Sequence, residues 1–267
     1  MASYLRKVIA DGVGYSTITD PKFKTNKIKV IFVTDLKEET AAANAMAIGI
    51  MASSNSKYKN ISEITAKLNS LYGANIGASI SKQGDFQNLS ISVAAIHNRY
   101  ALEGEDISGE ITDILLDCIF SPNAHNGKFA DEPFDFRKKD LLDTIDAEIN
   151  NKRGYAIIQA QRLAFKGENS ENSSYGKKEN AQAVTSEQAY EAYQNLLKNS
   201  SIEIYFVGPE EDRSVENKLT DAFSKLERSS NEIEFVDFSK AKEEVLYNEE
   251  KLDVSQCKMV MAFKSDC

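Results

Sequence analysis

Residues 39–54 constrain the fold more than any other part of the chain: Glu-Thr-Ala-Ala-Ala-Asn-Ala-Met-Ala-Ile-Gly-Ile-Met-Ala-Ser-Ser. The run reads as a helix, and it is apolar nearly all round. A helix of that kind cannot lie on a surface with one stripe turned inward, so other elements must enclose it. It holds one Asn and neither His nor Cys, so it brings almost no chemistry of its own.

The flanking segments supply the enclosure. Residues 12–19 and 27–34 read as strands joined by turn chemistry in Asp20-Pro21-Lys22-Phe23-Lys24-Thr25-Asn26. In the second strand Ile28, Val30 and Phe32 alternate with Lys29, Ile31 and Val33, which gives one strongly apolar face and a central place in a sheet. Asn60 with Glu63 has the form of a capping box, and Ile61, Ile64, Leu68 and Leu71 space one buried helical face up to a stop at Gly73. A hairpin follows, 74–82 and 86–97 around Gln83-Gly84-Asp85, with Leu89, Ile91, Val93 and Ala95 alternating against polar neighbours.

Ile107, Ile111, Ile114, Leu115 and Cys118 mark the next helix, closed by Ser121-Pro122-Asn123. The spacing of Leu141, Leu142, Ile145, Ile149 and Ile157 predicts one long charged helix over 134–165. A loop over 167–180, a capped helix from Thr185-Ser186-Glu187, a strand over 202–207 and a helix over 214–226 complete the pattern. These elements predict an α+β fold, a mostly antiparallel sheet with helices packed on one face. Composition turns polar at Glu227. Residues 1–226 are therefore expected to form one domain, 227–257 a connector, and 258–267 the first strand of a truncated second domain.

The 267-residue chain has a net charge of −9 with both signs interleaved, which argues against a nucleic-acid groove or an anionic membrane surface as partner. No apolar run approaches a membrane span and the N-terminus lacks a signal-peptide core, so a cytoplasmic location is expected. Cys118, Cys257 and Cys267 fit reduced thiols and include no Cys-X-X-Cys pair, and Cys118 falls on an apolar face as a core thiol would. Gly12-Val-Gly14 is too short for a phosphate loop. His97 ends a strand and His125 lies in a polar loop, without ligand spacing. The carboxylates of 131–148 read as a solvated helix face, and Tyr72 and Tyr100 as packing residues. No catalytic, metal-ligating or cofactor-binding residue is assigned.

The order of these elements resembles the first half of the pitrilysin/insulinase zinc peptidases, over about residues 5–267. Short strings carry the likeness: Lys22-Phe23-Lys24-Thr25-Asn26, Leu71-Tyr72-Gly73-Ala74, Lys82-Gln83-Gly84-Asp85, Phe120-Ser121-Pro122, Asn151-Lys152 with Tyr155-Ala156, and Val207-Gly208. They resemble a non-catalytic bacterial branch associated with aminopentanol modification of elongation factor P, which is accompanied by an active sister subunit. Active members carry His-X-X-Glu-His on the first helix. There the two His and a Glu of the long helix hold zinc, and the motif Glu activates water.

Placed through Lys57-Tyr58, this chain has Ala45, Ile48 and Gly49 at those three positions, and the third ligand would fall around Ile145 and Asp146, or at Glu148. The resemblance thus implies a metallohydrolase-like fold with its site vacant, and neither zinc nor another cofactor is expected. It further implies an inactive subunit in a heterodimer with an active zinc-peptidase sister chain, and a peptide or unfolded polypeptide as a further ligand. Two alternatives stay open: an active metallopeptidase using His97, His125 and a helix carboxylate, or a stand-alone peptide-binding or assembly protein that adds a strand to its sheet edge.

Overall fold

The structure, a computed structural model, describes residues 2–229 and 244–264. In chain order it has strands β1 (Ser3–Ala10), β2 (Val13–Thr19) and β3 (Thr25–Asp35), helices α1 (Glu38–Met51) and α2 (Ile61–Ser70), strands β4 (Asn75–Gln83) and β5 (Phe86–Ile96), and helix α3 (Ile107–Phe120). There follow two-residue strands β6 (Ala124–His125) and β7 (Lys128–Phe129), then helices α4 (Asp131–Ala147), α5 (Lys152–Ala164), α6 (Lys178–Ala183) and α7 (Ser186–Asn199). Strand β8 (Ser201–Gly208) and helix α8 (Arg213–Phe223) come last.

Six strands form one sheet in the order β1-β2-β8-β3-β5-β4, and every pairing is antiparallel except that of β2 with β8. The register lines up buried residues in rows across it: Val13, Ile202, Phe32 and Leu89; Tyr15, Ile204, Val30 and Ile91; Thr17, Phe206, Ile28 and Val93. Helices α1, α3 and α7 pack against this side. Because side chains alternate along a strand, the other face carries Lys27, Lys29, Ser92 and the Arg6–Glu203 ion pair. The α+β class and the single helical layer are therefore as the pattern predicts.

Several boundaries differ. β1 has no counterpart among the expected strands, because on this edge strand Tyr4, Leu5 and Val8 are all exposed and leave no core-facing alternation. The helix expected over 134–165 is two helices. Residues Glu148–Asn150 tighten into a 3-10 turn, and Asn151 caps α5 by accepting from the Gly154 amide at 3.0 Å. The apolar stripe does not cross that break: Leu141 is buried, whereas Ile157 is exposed. The loop expected over 167–180 enters α6 at Lys178.

Residues 258–264 belong to neither sheet among the described residues. The connector expected over 227–257 falls in part on 230–243, and the end of the expected terminal strand on 265–267, outside the described residues.

The chain's turn and cap chemistry is local. Asn60 Oδ1 accepts from the Glu63 amide at 3.1 Å, while Glu63 returns to the Lys59 amide at 2.7 Å instead of closing the box on Asn60. A complete capping box sits at Thr185 and Gln188. After α2, Tyr72 (φ 57) and Gly73 (φ 73) are both left-handed and reverse the chain. The Tyr72 hydroxyl holds the turn, donating to Glu105 at 2.7 Å and accepting from the Leu102 amide at 2.9 Å.

Three core groups make stability sensitive to alkali. Burial pushes the Tyr15 phenol from 10.0 to about 12 and the Cys118 thiol from 9.0 to about 12, and it raises Tyr193 as well. Each folded-state pKa lies above its unfolded value, so this stabilisation is complete below pH 9 and is lost as pH rises through about 12. Lys82 and Arg228, whose pKa values burial lowers, work the other way, but both are only half-buried. The urea midpoint is expected to fall steadily above pH 10. A midpoint that is flat to pH 12 would contradict this assignment.

Candidate functional site

Helix α1 is enclosed by β4 and β5 on one side and by α4, α6 and α7 elsewhere, and its residues from Ala41 to Met51 are all buried. Ala45 and Gly49 lie one turn apart on the same face and line a cleft of about 290 Å³. Ile48 is fully buried in the core and takes no part in the lining. Opposite stand Arg137, Asp140, Leu141 and Thr144 from successive turns of α4. Edge strand β4 supplies Ala78, Ser79 and Ile80, and Tyr175 completes the wall.

Arg137 occupies the space that Gly49 leaves. A Cβ on residue 49 would lie 3.4 Å from Arg137 Cδ, so any longer side chain there displaces the arginine. Arg137 Nη1 donates to Asp140 Oδ2 at 3.1 Å. Its Nε is sealed from water and has no acceptor among the described residues.

The segment carrying Tyr175 is held down by buried polar residues. Gln87, fully buried on β5, donates from Nε2 to Ala41 O at 3.0 Å and to Ser174 O at 2.6 Å, and its Oε1 accepts from Asn44 Nδ2 at 3.0 Å. Lys82 Nζ donates to Ser170 O at 2.7 Å and Asn172 O at 2.9 Å, and Asp85 accepts from the Ser170 hydroxyl. Gly176 (φ 76) lies so close to α1 that a Cβ would come within 2.9 Å of the Ala42 backbone. The Lys82-Gln83-Gly84-Asp85 string is thus a clamp on this loop.

The other residues considered from the sequence lie elsewhere. Ile145 packs on the core, Asp146 accepts from Lys178 at 2.7 Å, and Glu148 pairs with Arg162 at 3.4 Å. The face of α4 that meets the cleft is instead set by Arg137, Asp140, Leu141 and Thr144. His97 Nε2 lies 3.3 Å from Glu210 Oε1 and its Nδ1 accepts from the Arg99 amide at 3.1 Å, while His125 is exposed on β6. Cys118 Sγ, wholly buried, accepts from Asn55 Nδ2 at 3.3 Å.

Among the described residues no three His, Cys, Asp or Glu side chains gather at metal-ligand spacing. The zinc that the resemblance implies for active members therefore does not fit this cleft. Asp140 is the one carboxylate in its lining, and the fixed charge of Arg137 beside it opposes a second cation. Arg137 itself is hidden in the sequence, because Arg137-Lys138-Lys139-Asp140 reads as a solvated charged face.

No family model matches the chain. It is 20% identical over 256 residues to the "Probable inactive metalloprotease YmfF" of Bacillus subtilis, which covers 95% of this chain and 59% of that relative. A conserved protein from Enterococcus faecalis shares the fold with a TM-score of 0.75 and 26% identity, over 86% of this chain and 52% of its own. A peptidase M16 inactive domain from Pseudomonas fluorescens follows at a TM-score of 0.68 and 12% identity, over 90% and 55%. The chain spans little more than half the length of these relatives. It thus has the fold of an M16-type, pitrilysin/insulinase-like peptidase and is a homologue, over 95% of its length, of a relative named as an inactive metalloprotease.

Proposed function

We propose that this chain is a non-catalytic M16-type subunit that works by binding: it pairs with an active zinc-peptidase sister chain and helps hold that chain's peptide substrate. The cleft is the observation that supports this most. Where the resemblance places two histidines and a glutamate, the chain has Ala45, Gly49 and Ile48, and Arg137 lies across Gly49. The scaffold around that cleft is well packed, from the buried rows of the sheet to the clamp on the Tyr175 loop.

Strand β4 supports the peptide-holding part. Among the described residues it pairs only with β5, and its exposed Gly77, Ala78, Ser79 and Ser81 leave an edge without proline. A second, related domain beginning at 258–267, cytoplasmic residence and a link to elongation factor P modification belong to the same proposal.

Co-expression with a sister chain bearing His-X-X-Glu-His from the same genome tests it. A stoichiometric complex is expected, with peptide cleavage that disappears when the sister's motif is mutated. Zinc analysis of this chain alone is expected to give only background. Stoichiometric zinc that is lost on replacing His97 and His125 would favour an autonomous peptidase instead. Two chains that do not associate would leave a stand-alone peptide binder.

A further inference from the structure

We propose that the cleft between α1 and α4 is a carboxylate-recognition site, in which Arg137 receives an internal Asp or Glu side chain of an extended peptide added to strand β4. This rests on the peptide-holding reading and goes beyond it by naming what the peptide must carry.

The guanidinium is positioned for such a ligand. The Arg137 side chain is 20% exposed, and its stem lies against Gly49, the residue that leaves it room. One donor is used on Asp140 at 3.1 Å, while Nε is sealed from water with no acceptor among the described residues. The part of the guanidinium that stays exposed is what a ligand can meet, and its N–H groups form charge-assisted bonds with a carboxylate. Asp140 is no rival of equal strength, because its side chain is 57% exposed and solvent screens the pair. Ala45, Leu141 and Ile80 share the walls with Ser79, Thr144 and Tyr175, whose hydroxyls can add hydrogen bonds to a bound carboxylate.

Position along β4 selects the source of the carboxylate. The cleft meets the strand at Ala78, Ser79 and Ile80, in the middle of the Asn75–Gln83 span. Ala78 and Ile80 pair with Ile91 and Leu89, so they stand on the helix side of the sheet with the buried rows. A peptide added along this edge passes the cleft in mid-length. It therefore offers a side chain there, and its terminus lies beyond.

The test uses the 267-residue chain and fluorescence anisotropy with Thr/Ser/Val peptides about ten residues long, blocked at both ends. One has a central Glu, the second Gln at that position, and the third Gln with a free C-terminal carboxylate. The Glu peptide is expected to bind roughly tenfold tighter than the Gln peptide. That gap should close in Arg137→Gln and narrow in Arg137→Lys, with thermal unfolding confirming that both variants fold. N-methylation at alternate peptide residues should abolish binding altogether.

Equal binding of Glu and Gln peptides, or a gap that survives Arg137→Gln, overturns the proposal. If those peptides still lose affinity on N-methylation, strand addition stands and carboxylate recognition alone falls. A preference for the free C-terminal carboxylate over the central Glu also overturns it. Absence of binding by any peptide overturns both readings.

Discussion

Ile48→Glu is expected to destabilise the chain by on the order of 3–5 kcal/mol, a large share of the roughly 5–15 kcal/mol that keeps an ordinary domain folded. The resemblance places the water-activating glutamate of active relatives at this position, yet here the side chain is wholly buried in the core and outside the cleft. The substitution removes packed methyl and methylene groups and buries a carboxylate with no partner. Ala45→Ser, made on the cleft side of the same helix, should cost under about 1 kcal/mol. Urea denaturation of the two variants separates them. Grafting His, Glu and His together at 45, 48 and 49 should yield an unfolded chain and no peptidase, because Gly49→His also evicts Arg137. A folded Ile48→Glu with a near-native midpoint would show that this face of α1 is not core.

Gln87→Leu has the next largest expected effect. One amide serves three groups: it donates to the carbonyls of Ala41 and Ser174 and accepts from Asn44. Leucine fills a similar volume but leaves all three without their partner, at a cost on the order of 2–4 kcal/mol. The damage should be local as well as global, because the same bonds hold residues 168–177 onto α1. Hydrogen exchange is expected to quicken at Ser174, Tyr175 and Gly176 well before the sheet opens. Unchanged protection there would mean that Lys82 and the fit of Gly176 against Ala42 suffice to hold the loop.

The elements that could be read in advance were those whose signal is local. Ile28, Val30 and Phe32 announce a central strand, and in the structure they lie in the three buried rows. Asn60 and Thr185 cap helices through their own neighbours, and the silence of 39–54 marks a helix enclosed on all sides. What was hidden depends on neighbours distant in sequence. The Leu141 to Ile157 spacing reads as one helix, since periodicity does not register that Asn151 starts a new one, although an Asn three residues before Gly154 is a usable cap signal. Arg137 is one cation in a charged run until α4 packs across Gly49. The cleft needs residues from α1, β4, α4 and the Tyr175 loop at once.

The place of β8 has a consequence for how the protein is made. β8 fills the gap between β2 and β3, with Ile202 paired to Val13 on one side and to Phe32 on the other. A growing chain therefore carries two unjoined pieces, β1 with β2 and β3 with β5 and β4, each with a raw edge, until residue 208 has left the ribosome. At translation rates of roughly 5–20 residues per second, those edges stay open for on the order of ten seconds or more. During that interval the open edges of strands that will form the middle of the sheet are an aggregation-prone surface.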